Sequence, residues 1–235
     1  MEREWEATLL REGTIEVEGR VVGSSNQALL VTLSLDGVSA RACYKAEAGE
    51  RPLWDFPDGL WRREVAAYEL DMALGTNLVP TTVARDDGPF GPGSLQWWVE
   101  DNLIDHYFTL RERPELSEWF ATLAAFDVVA NNADRKGGHV LFDGTRCWAI
   151  DNGLCFHEED KLRTVIWEYA GGPVEASLRE RLERFALGDT GELGRWLSER
   201  ELTLAKRRAH DLVERASYPL PDEDAPWPPY PWPLI

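Results

Sequence analysis

Alternating polar and apolar positions predict a β-hairpin near the start of the chain. Residues alternate in this way from Thr14 to Val22, and the stretch from Ala28 to Leu35 is again apolar and rich in β-branched side chains. Two such runs joined by a polar turn are typical of antiparallel strands. Asp36-Gly37 has the composition of a second tight turn, which leads into a third predicted strand from Ser39 to Lys45.

The turn of the first hairpin is a candidate phosphate-binding loop. It contains Ser24, Ser25 and Asn26, whose backbone N–H groups and polar side chains could face phosphate oxygens. Surface turns of this composition are common, and the turn carries neither a glycine-rich nor a basic pattern. The loop therefore indicates a nucleotide site only in combination with other residues.

A helical period follows in the stretch from Gly59 to Gly75. Its apolar residues recur at i, i+4, i+7 and i+11, which predicts one buried face, formed by Trp61, Val65, Tyr68 and Met72. Glu64 lies at the edge of that face, and a carboxylate in such a place needs a cationic partner because desolvating it alone costs several kcal/mol. The sequence offers three partners: Lys45 from the third strand, or Arg62 and Arg63 from the same helix.

The middle of the chain changes from strands to helices. Ser94 to Val99 is predicted as a strand rich in aromatic residues, and the polar residues after it suggest a hinge, where Val99 and Glu100 are candidate nucleotide contacts. Pro114 suits the first turn of a deeply packed helix that runs to Ala130.

Two acidic residues follow this predicted helix, one in a turn and one at the end of a short apolar run. Asp134 lies in the turn-like run Asn-Asn-Ala-Asp-Arg-Lys-Gly-Gly, and Asp151 ends the short apolar run 147–150 just before Asn-Gly. A tight turn at Asp143-Gly144 separates the two predicted strands between them. Because a hairpin returns the chain to its starting point, we expect Asp134 and Asp151 to share one site.

The remainder is predicted to be helical scaffold followed by an extended segment. Two amphipathic helices cover residues 174–186 and 197–216, the second with Ser198 and Glu201 spaced as a capping box. Residues 218–235 contain seven of the 14 prolines together with Trp227 and Trp232. This composition favours an extended or polyproline-like conformation over a helix.

Composition and charge narrow the classes of function. The chain has 235 residues, 43% of them hydrophobic, and 11 tryptophans, which is enough for a sizeable core. A net charge of −17 argues against nucleic acid and anionic lipid as partners. The apolar run from Trp119 to Ala130 is shorter than the roughly 20 residues that cross a bilayer, so no integral membrane contact is expected. Three cysteines without a CxxC pair, and a charged first segment, predict a cytoplasmic protein with reduced thiols.

The segments around the two acids resemble the catalytic motifs of a known family. NNADRKGGHVLF is similar to the catalytic loop of the phosphatidylinositol 3-/4-kinase-like and HipA-like atypical kinases, and AIDNGLCF resembles their metal-binding motif. The 17 residues from Asp134 to Asp151 leave room for one short hairpin, as in those kinases. One departure is His139, which stands five residues after Asp134 where the family has Asn.

The resemblance implies a fold and a division of the chain. The expected fold is α+β and bilobal, like a protein kinase, with a small β-rich N-lobe and a mainly helical C-lobe. We assign residues 1–101 to the N-lobe, 102–217 to the C-lobe with the catalytic and metal loops, and 218–235 to a Pro/Trp-rich tail.

The resemblance also implies roles for individual residues, with ATP and Mg²⁺ or Mn²⁺ as cofactors. Asp151 and His139 would hold the metal, and Asp134 would orient or deprotonate the acceptor hydroxyl. Lys136 would reach the γ-phosphate. Lys45 would hold the α- and β-phosphates, with Glu64 fixing its position.

Three functions remain open at this point. The first is a kinase that phosphorylates a hydroxyl of a protein or small molecule, and the charge of −17 favours it over a lipid kinase, the second. The third is a nucleotide-binding pseudokinase that regulates a partner, suggested by His139 and by the plain phosphate turn. The sequence names neither the acceptor nor the oligomeric state.

Overall fold

A five-stranded antiparallel sheet forms the first part of the protein. We describe it from a computed structural model that covers residues 2–21, 27–102, 104–222, 224–225 and 227–235. The strands are β1 (Thr14–Arg20), β2 (Ala28–Leu35), β3 (Val38–Ala46), β4 (Thr82–Arg85) and β5 (Gly93–Trp97). Their order in the sheet is β1-β2-β3-β5-β4. The predicted hairpins are therefore confirmed, and β3 lies in the interior of the sheet.

A helix that the sequence did not predict packs against this sheet. Helix α1 (Glu2–Glu12) buries Leu9 and Leu10 in one cluster with Val31 and Leu33 of β2. Alternation places these β2 residues on one face of the sheet, while their neighbours are more exposed. The helix thus supplies the apolar partner that a sheet with one hydrophobic face requires.

Helix α2 (Leu60–Leu74) begins and ends at glycines in the left-handed conformation. Gly59 has φ of 88° and Gly75 has φ of 63°, and both values favour glycine because it has no Cβ. Most of the predicted apolar face is buried, including Trp61 and Val65, but Met72 is 48% exposed. The helix therefore begins beside the sheet with Glu64 on its buried side.

Four helices build the second part around a large apolar core. They are α3 (Tyr107–Leu110), α4 (Ser117–Ala130), α5 (Ala176–Leu187) and α6 (Glu199–Arg215). Phe120 and Phe126 of α4 are fully buried there, as is Phe185 of α5. Helix α6 opens with the predicted capping box, in which the hydroxyl of Ser198 accepts from the Glu201 N–H and Glu201 accepts from the Ser198 N–H.

A short hairpin follows α4 and returns the chain to the same place. Strands β6 (Val140–Phe142) and β7 (Cys147–Ala149) pair in antiparallel fashion, with Val140 opposite Ala149. Asp143 holds the turn by accepting hydrogen bonds from the backbone N–H groups of Thr145 at 2.8 Å and Arg146 at 2.9 Å. The predicted hairpin is confirmed, and it positions Asp134 and Asp151 at its two ends.

The proline-rich segment after α6 has neither helix nor strand in its described part. It is anchored at its start, where the Tyr218 hydroxyl donates to the carbonyl of Ala121 at 2.8 Å. Within the described ranges, no helix has the length and apolar character needed to cross a bilayer.

Candidate active site

Lys45 connects the sheet, helix α2 and the end of β7. It lies on β3 between Ala28 of β2 and Ser94 of β5, so its backbone is fixed on both sides. Its Nζ contacts Glu64 Oε1 and lies 2.7 Å from Asp151 Oδ1. Of the three partners that the sequence offered Glu64, the structure selects Lys45.

The arginines of α2 point elsewhere. Arg62 is exposed, and Arg63 is buried with its guanidinium paired to Glu201 of α6 at 2.5 Å. Glu64 itself is 3% exposed and accepts a second hydrogen bond, from the backbone N–H of Asn152 at 2.9 Å. A buried carboxylate with two donors is held in place and in turn fixes Lys45.

Electrostatics keep Lys45 and Asp151 charged. Burial acts to lower the pKa of Lys45, but the charges of Asp151 and Glu64 raise it above its ordinary value. The positive charge of Lys45 is also the main cause that lowers the pKa of Asp151 below its usual range. Burial raises the pKa of Glu64, and Lys45 opposes this effect. The site therefore holds a fixed cation beside a fixed anion.

Asp151 is held in an unusual backbone conformation. Its φ is 56°, in the left-handed region that few residues other than glycine adopt. Such strain tends to occur at functional sites, where a required side-chain position outweighs the energetic cost of a rare backbone conformation. The turn directs the carboxylate toward both Lys45 and His139.

Asp134 occupies the loop between α4 and β6. Its backbone N–H donates to the side-chain oxygen of Asn132 at 2.9 Å, and its carboxylate pairs with Lys136 Nζ at 3.0 Å. Burial raises the pKa of Asp134, and the charge of Lys136 opposes this. A carboxylate with a raised pKa is a better proton acceptor, which suits a general base.

His139 faces Asp151. Its Nε2 lies 3.3 Å from Asp151 Oδ2, and its Nδ1 accepts from the Lys136 N–H at 3.4 Å. Burial lowers the pKa of His139 to about 4, so the imidazole is neutral near neutral pH. Because Nδ1 accepts that hydrogen bond, the proton of the neutral imidazole lies on Nε2, which faces Asp151, so His139 would bind a divalent cation beside Asp151 only after this proton moves to Nδ1.

The described residues around Asp151 and His139 offer few further metal ligands. Among the residues that the structure describes, no group of three or more His, Cys, Asp or Glu side chains could hold a metal ion. Cations that bind nucleotides commonly take few protein ligands and complete their shell with phosphate oxygens and water. Asp151 and His139 are compatible with such a site.

Four of these side chains line one cavity of about 240 Å³ between the sheet and the helical part, whereas the predicted site residues His139 and Lys136 are not among its lining residues. Lys45, Glu64, Asp134 and Asp151 all contribute to its wall, together with Glu50, Leu60 and Gly153. Gly153 lies close to Glu64, since a Cβ on Gly153 would stand 3.3 Å from Glu64 Oε1. The sequence thus predicted correctly that the two acids lie near each other.

Other predicted site residues lie outside this group. Ser24, Ser25 and Asn26 fall outside the described residues. Val99 is buried after β5, and Glu100 is an exposed residue paired with Arg41. Neither Val99 nor Glu100 lines the cavity, and their predicted nucleotide contacts stay predictions.

A buried ion pair that the sequence did not predict lies beneath the site. Arg135 and Asp127 are both fully buried, with Arg135 Nε 3.1 Å and Nη2 3.0 Å from Asp127 Oδ1. Arg135 also donates to the carbonyl of Ile150 at 2.9 Å and to Asn152 Oδ1 at 2.6 Å, on either side of Asp151. A lone acid inside the apolar helix α4 was the available indication, since such an acid requires a buried partner.

No family model matches the chain. Protein Rv2133c of Mycobacterium tuberculosis is 37% identical to it, over 99% of this chain and 96% of that protein.

Several solved structures are similar in fold. The Golgi casein kinase with Mn/ADP bound has a TM-score of 0.60 at 13% identity, covering 91% of this chain and 75% of that one. Hydra Fam20 with sugar has a TM-score of 0.55 at 14% identity, covering 88% and 87%. The Helicobacter pylori proinflammatory kinase CtkA has a TM-score of 0.54 at 12% identity, covering 88% and 97%.

These likenesses confirm the predicted fold class. The protein has an α+β, bilobal, kinase-like fold with a β-rich first lobe and a mainly helical second lobe. The matching structures are kinases of the Golgi casein kinase, Fam20 and CtkA type. They do not confirm the narrower resemblance to phosphatidylinositol 3-/4-kinases and HipA-like kinases, which stays a prediction.

Proposed function

This chain belongs to the family of Protein Rv2133c from Mycobacterium tuberculosis, and from its fold and site geometry we propose that it is an ATP-dependent phosphotransferase. The observation that carries the proposal is the position of Lys45. Its ammonium lies between a buried Glu64 and an ionised Asp151, on the wall of a cavity that Asp134 also lines. Fixed cation, metal-binding acid and candidate base are the parts that phosphoryl transfer requires.

Lys45 is proposed to bind the α- and β-phosphates of ATP. The Lys45 ammonium can donate hydrogen bonds to two phosphate oxygens in exchange for part of its contact with Asp151, whose carboxylate then becomes free for a cation. Glu64 keeps the lysine in place, because its carboxylate is anchored by the Asn152 N–H at 2.9 Å. We infer that Glu64 positions Lys45 and does not itself contact the nucleotide.

Asp151 and His139 are the residues that would hold Mg²⁺ or Mn²⁺. When bound, the cation would neutralise charge on the β- and γ-phosphates. The imidazole nitrogen favours Mn²⁺ over Mg²⁺, since nitrogen ligands suit transition metals better. A kinase of similar fold was solved with Mn/ADP bound, which supports the choice of a nucleotide with a divalent cation.

Asp134 is proposed to act on the acceptor. In the transfer, the bond from the γ-phosphorus to its bridging oxygen breaks and a bond to the acceptor oxygen forms. The acceptor proton passes to the Asp134 carboxylate, and ADP leaves. Lys136, whose Nζ lies 3.0 Å from Asp134 Oδ2, would screen the γ-phosphate during this step.

We also propose that the protein belongs to the phosphatidylinositol 3-/4-kinase-like class and that its lobe boundaries are 1–101, 102–217 and 218–235. The proposed nucleotide contacts are those of Ser24, Ser25 and Asn26 with the phosphates and those of Val99 and Glu100 at the hinge. The support for the class is the motif around Asp134 and Asp151. The support for the hinge is its location directly after β5, where the chain passes from the sheet to the helices.

The test measures nucleotide binding and transfer separately. Addition of ATP with Mn²⁺ or Mg²⁺ should raise the melting temperature, and γ-labelled ATP should deliver label to a pool of hydroxyl compounds and peptides. Lys45→Met should lose the ATP-dependent shift. Lys206→Met, on α6 away from the cavity, serves as the control and should keep it.

Two results would contradict the proposal in different ways. If ATP does not shift the melting temperature of the wild type with either Mn²⁺ or Mg²⁺, the protein does not bind the nucleotide and the proposal is wrong. A normal shift without transfer to any acceptor would instead favour the pseudokinase, the alternative that His139 in place of Asn supports.

A further inference from the structure

Part of the proline-rich segment lies directly against the catalytic loop. We call residues 227–235 the proline strap. The carbonyl of Leu234 accepts from the backbone N–H of Gly137 at 2.7 Å, three residues after Asp134. Such close approach depends on the glycine, because a Cβ on Gly137 would lie 2.9 Å from the Phe108 ring and 3.3 Å from the Leu234 oxygen.

The strap also lies along the chain that follows the metal-binding motif. The carbonyl of Pro229 accepts from the Thr164 backbone N–H and from the Trp167 indole N–H, both at 3.1 Å. Residues 163–165 are themselves paired with the catalytic loop, since Arg135 donates to the Arg163 carbonyl at 3.0 Å and accepts from the Val165 N–H at 3.1 Å. The strap therefore contacts both the loop that carries Asp134 and the segment that pairs with this loop.

A ring contact joins the strap to the first lobe. The rings of Trp227 and Trp54 are 5.6 Å apart, and Trp54 lies in the loop between β3 and α2. The guanidinium of Arg163 stands 5.8 Å from the Trp227 ring. Asp55, next to Trp54, pairs with Lys161 at 3.3 Å. The strap thus reaches across the side of the cleft where residues 161–167 lie.

The composition of the strap suits a fixed structural element. Prolines at 228, 229, 231 and 233 carry no N–H, so the strap offers mainly carbonyl acceptors to the donors beneath it. It contains no serine or threonine. It can therefore cover the donors of Gly137 and Thr164 without offering an aliphatic hydroxyl for transfer.

We propose that the proline strap is the wall of the acceptor site and limits the acceptor to a small molecule that carries a hydroxyl group. An extended peptide acceptor commonly binds by pairing with main-chain donors along a groove. Here the donors of Gly137 and Thr164 are already bound to the strap, so that surface is closed to a peptide. This inference rests on the proposed phosphotransferase function and deepens it by naming the class of acceptor.

The first test measures whether the strap protects these donors in solution. Amide hydrogen exchange at Gly137 and Thr164 should be slow in the wild type and faster in Trp227→Ala, which removes the contacts to Trp54 and Arg163. The matched control is Trp232→Ala in the same strap, because Trp232 is 87% exposed. Equal exchange rates in all three proteins would show that Trp227 does not hold the strap in place and would overturn the proposal.

The second test measures acceptor choice with γ-labelled ATP. The acceptors are a pool of small alcohols (pentoses, hexoses, glycerol and nucleosides) and a pool of peptides containing Ser, Thr and Tyr. Wild type and Trp232→Ala should label small alcohols and should label peptides only at a slow basal rate. In Trp227→Ala, combined with Trp167→Phe to remove the indole donor, peptide labelling should rise about tenfold, as expected when a ring contact and a hydrogen bond are lost.

Each contrary result has a separate meaning. Labelling of peptides by the wild type at the rate of the small alcohols would overturn the assigned acceptor class and leave the phosphotransferase function standing. If only the variant with Trp227→Ala and Trp167→Phe labels the two pools and the wild type labels neither, the strap is not a wall of the acceptor site. It would then have an autoinhibitory role. Absence of an ATP-dependent melting shift in every variant would overturn the phosphotransferase function itself, and this inference with it.

Discussion

The buried pair of Asp127 and Arg135 should be the most sensitive point of the protein that contacts no substrate. Asp127→Asn keeps the shape of the side chain but removes its charge. In the wild type, the Asp127 carboxylate accepts hydrogen bonds from Arg135, from Asn132 Nδ2 at 3.1 Å and from the Thr164 hydroxyl at 3.5 Å. An amide there would leave a fully buried guanidinium without a counterion and turn an NH₂ group toward other donors.

The expected magnitude follows from this burial. Removing one partner of a fully buried ion pair costs about 3–5 kcal/mol, because the remaining charge stays desolvated. In a domain of this length, 1 kcal/mol shifts the melting temperature by about 2–4 °C, so Asp127→Asn should lower it by roughly 6–20 °C. The double variant with Arg135→Gln should recover part of this loss, since it removes the unpaired charge as well.

Urea unfolding followed by circular dichroism measures the change in free energy. The control is Glu192→Gln, which breaks an ion pair with Arg195 whose side chains are 60% and 77% exposed. An exposed pair of this kind contributes about 1 kcal/mol or less. If Asp127→Asn costs no more than Glu192→Gln, the reasoning from burial is refuted.

Three further predictions concern the site and the strap. Asp151→Asn should weaken metal-dependent ATP binding, whereas Asp134→Asn should keep it and lose transfer; calorimetry and single-turnover transfer measure the two, and equal loss of affinity would contradict the assigned roles. His139→Asn should shift the preference from Mn²⁺ toward Mg²⁺, and because its pKa of about 4 keeps the wild-type imidazole unprotonated above that pH, His139 should cause no loss of turnover between pH 5 and 8; identical metal preferences would exclude it as a ligand. Trp227→Ala should lower the melting temperature by a few degrees while Trp232→Ala leaves it unchanged, and equal melting curves would show that the ring contact adds nothing.

Much of the fold could be predicted because it follows from local patterns. Alternation in residues 14–45 specified three strands, and the Asp143-Gly144 turn specified the hairpin that carries Asp134 and Asp151. Helix α1 was not predicted because it contains few apolar residues. Leu9 and Leu10 are buried, but charged residues surround them in the sequence. Its helical character depends on the sheet that it covers, which a local pattern does not contain.

The parts of the site that depend on distant contacts could not be predicted. Glu64 required a cation, but the choice of Lys45 over Arg63 was decided by Glu201, 138 residues from Arg63, which takes the arginine. The pairing of Asp127 with Arg135 likewise crosses from a helix to a loop whose path the sequence does not specify. Chemistry and spacing indicated which groups need partners, and tertiary structure chose among the partners.

Under the proposed function, the contact between Trp54 and Trp227 would also affect the rate at which the product is released. In many enzymes that close around a nucleotide, product release limits the overall rate. Trp54 belongs to the lobe that carries Lys45, and Trp227 belongs to a segment bound to the loop of Asp134, so under the proposed function an opening of the cleft that releases ADP would separate these rings or displace the strap. A pair of indoles that contacts neither nucleotide nor acceptor would thereby set the residence time of the product.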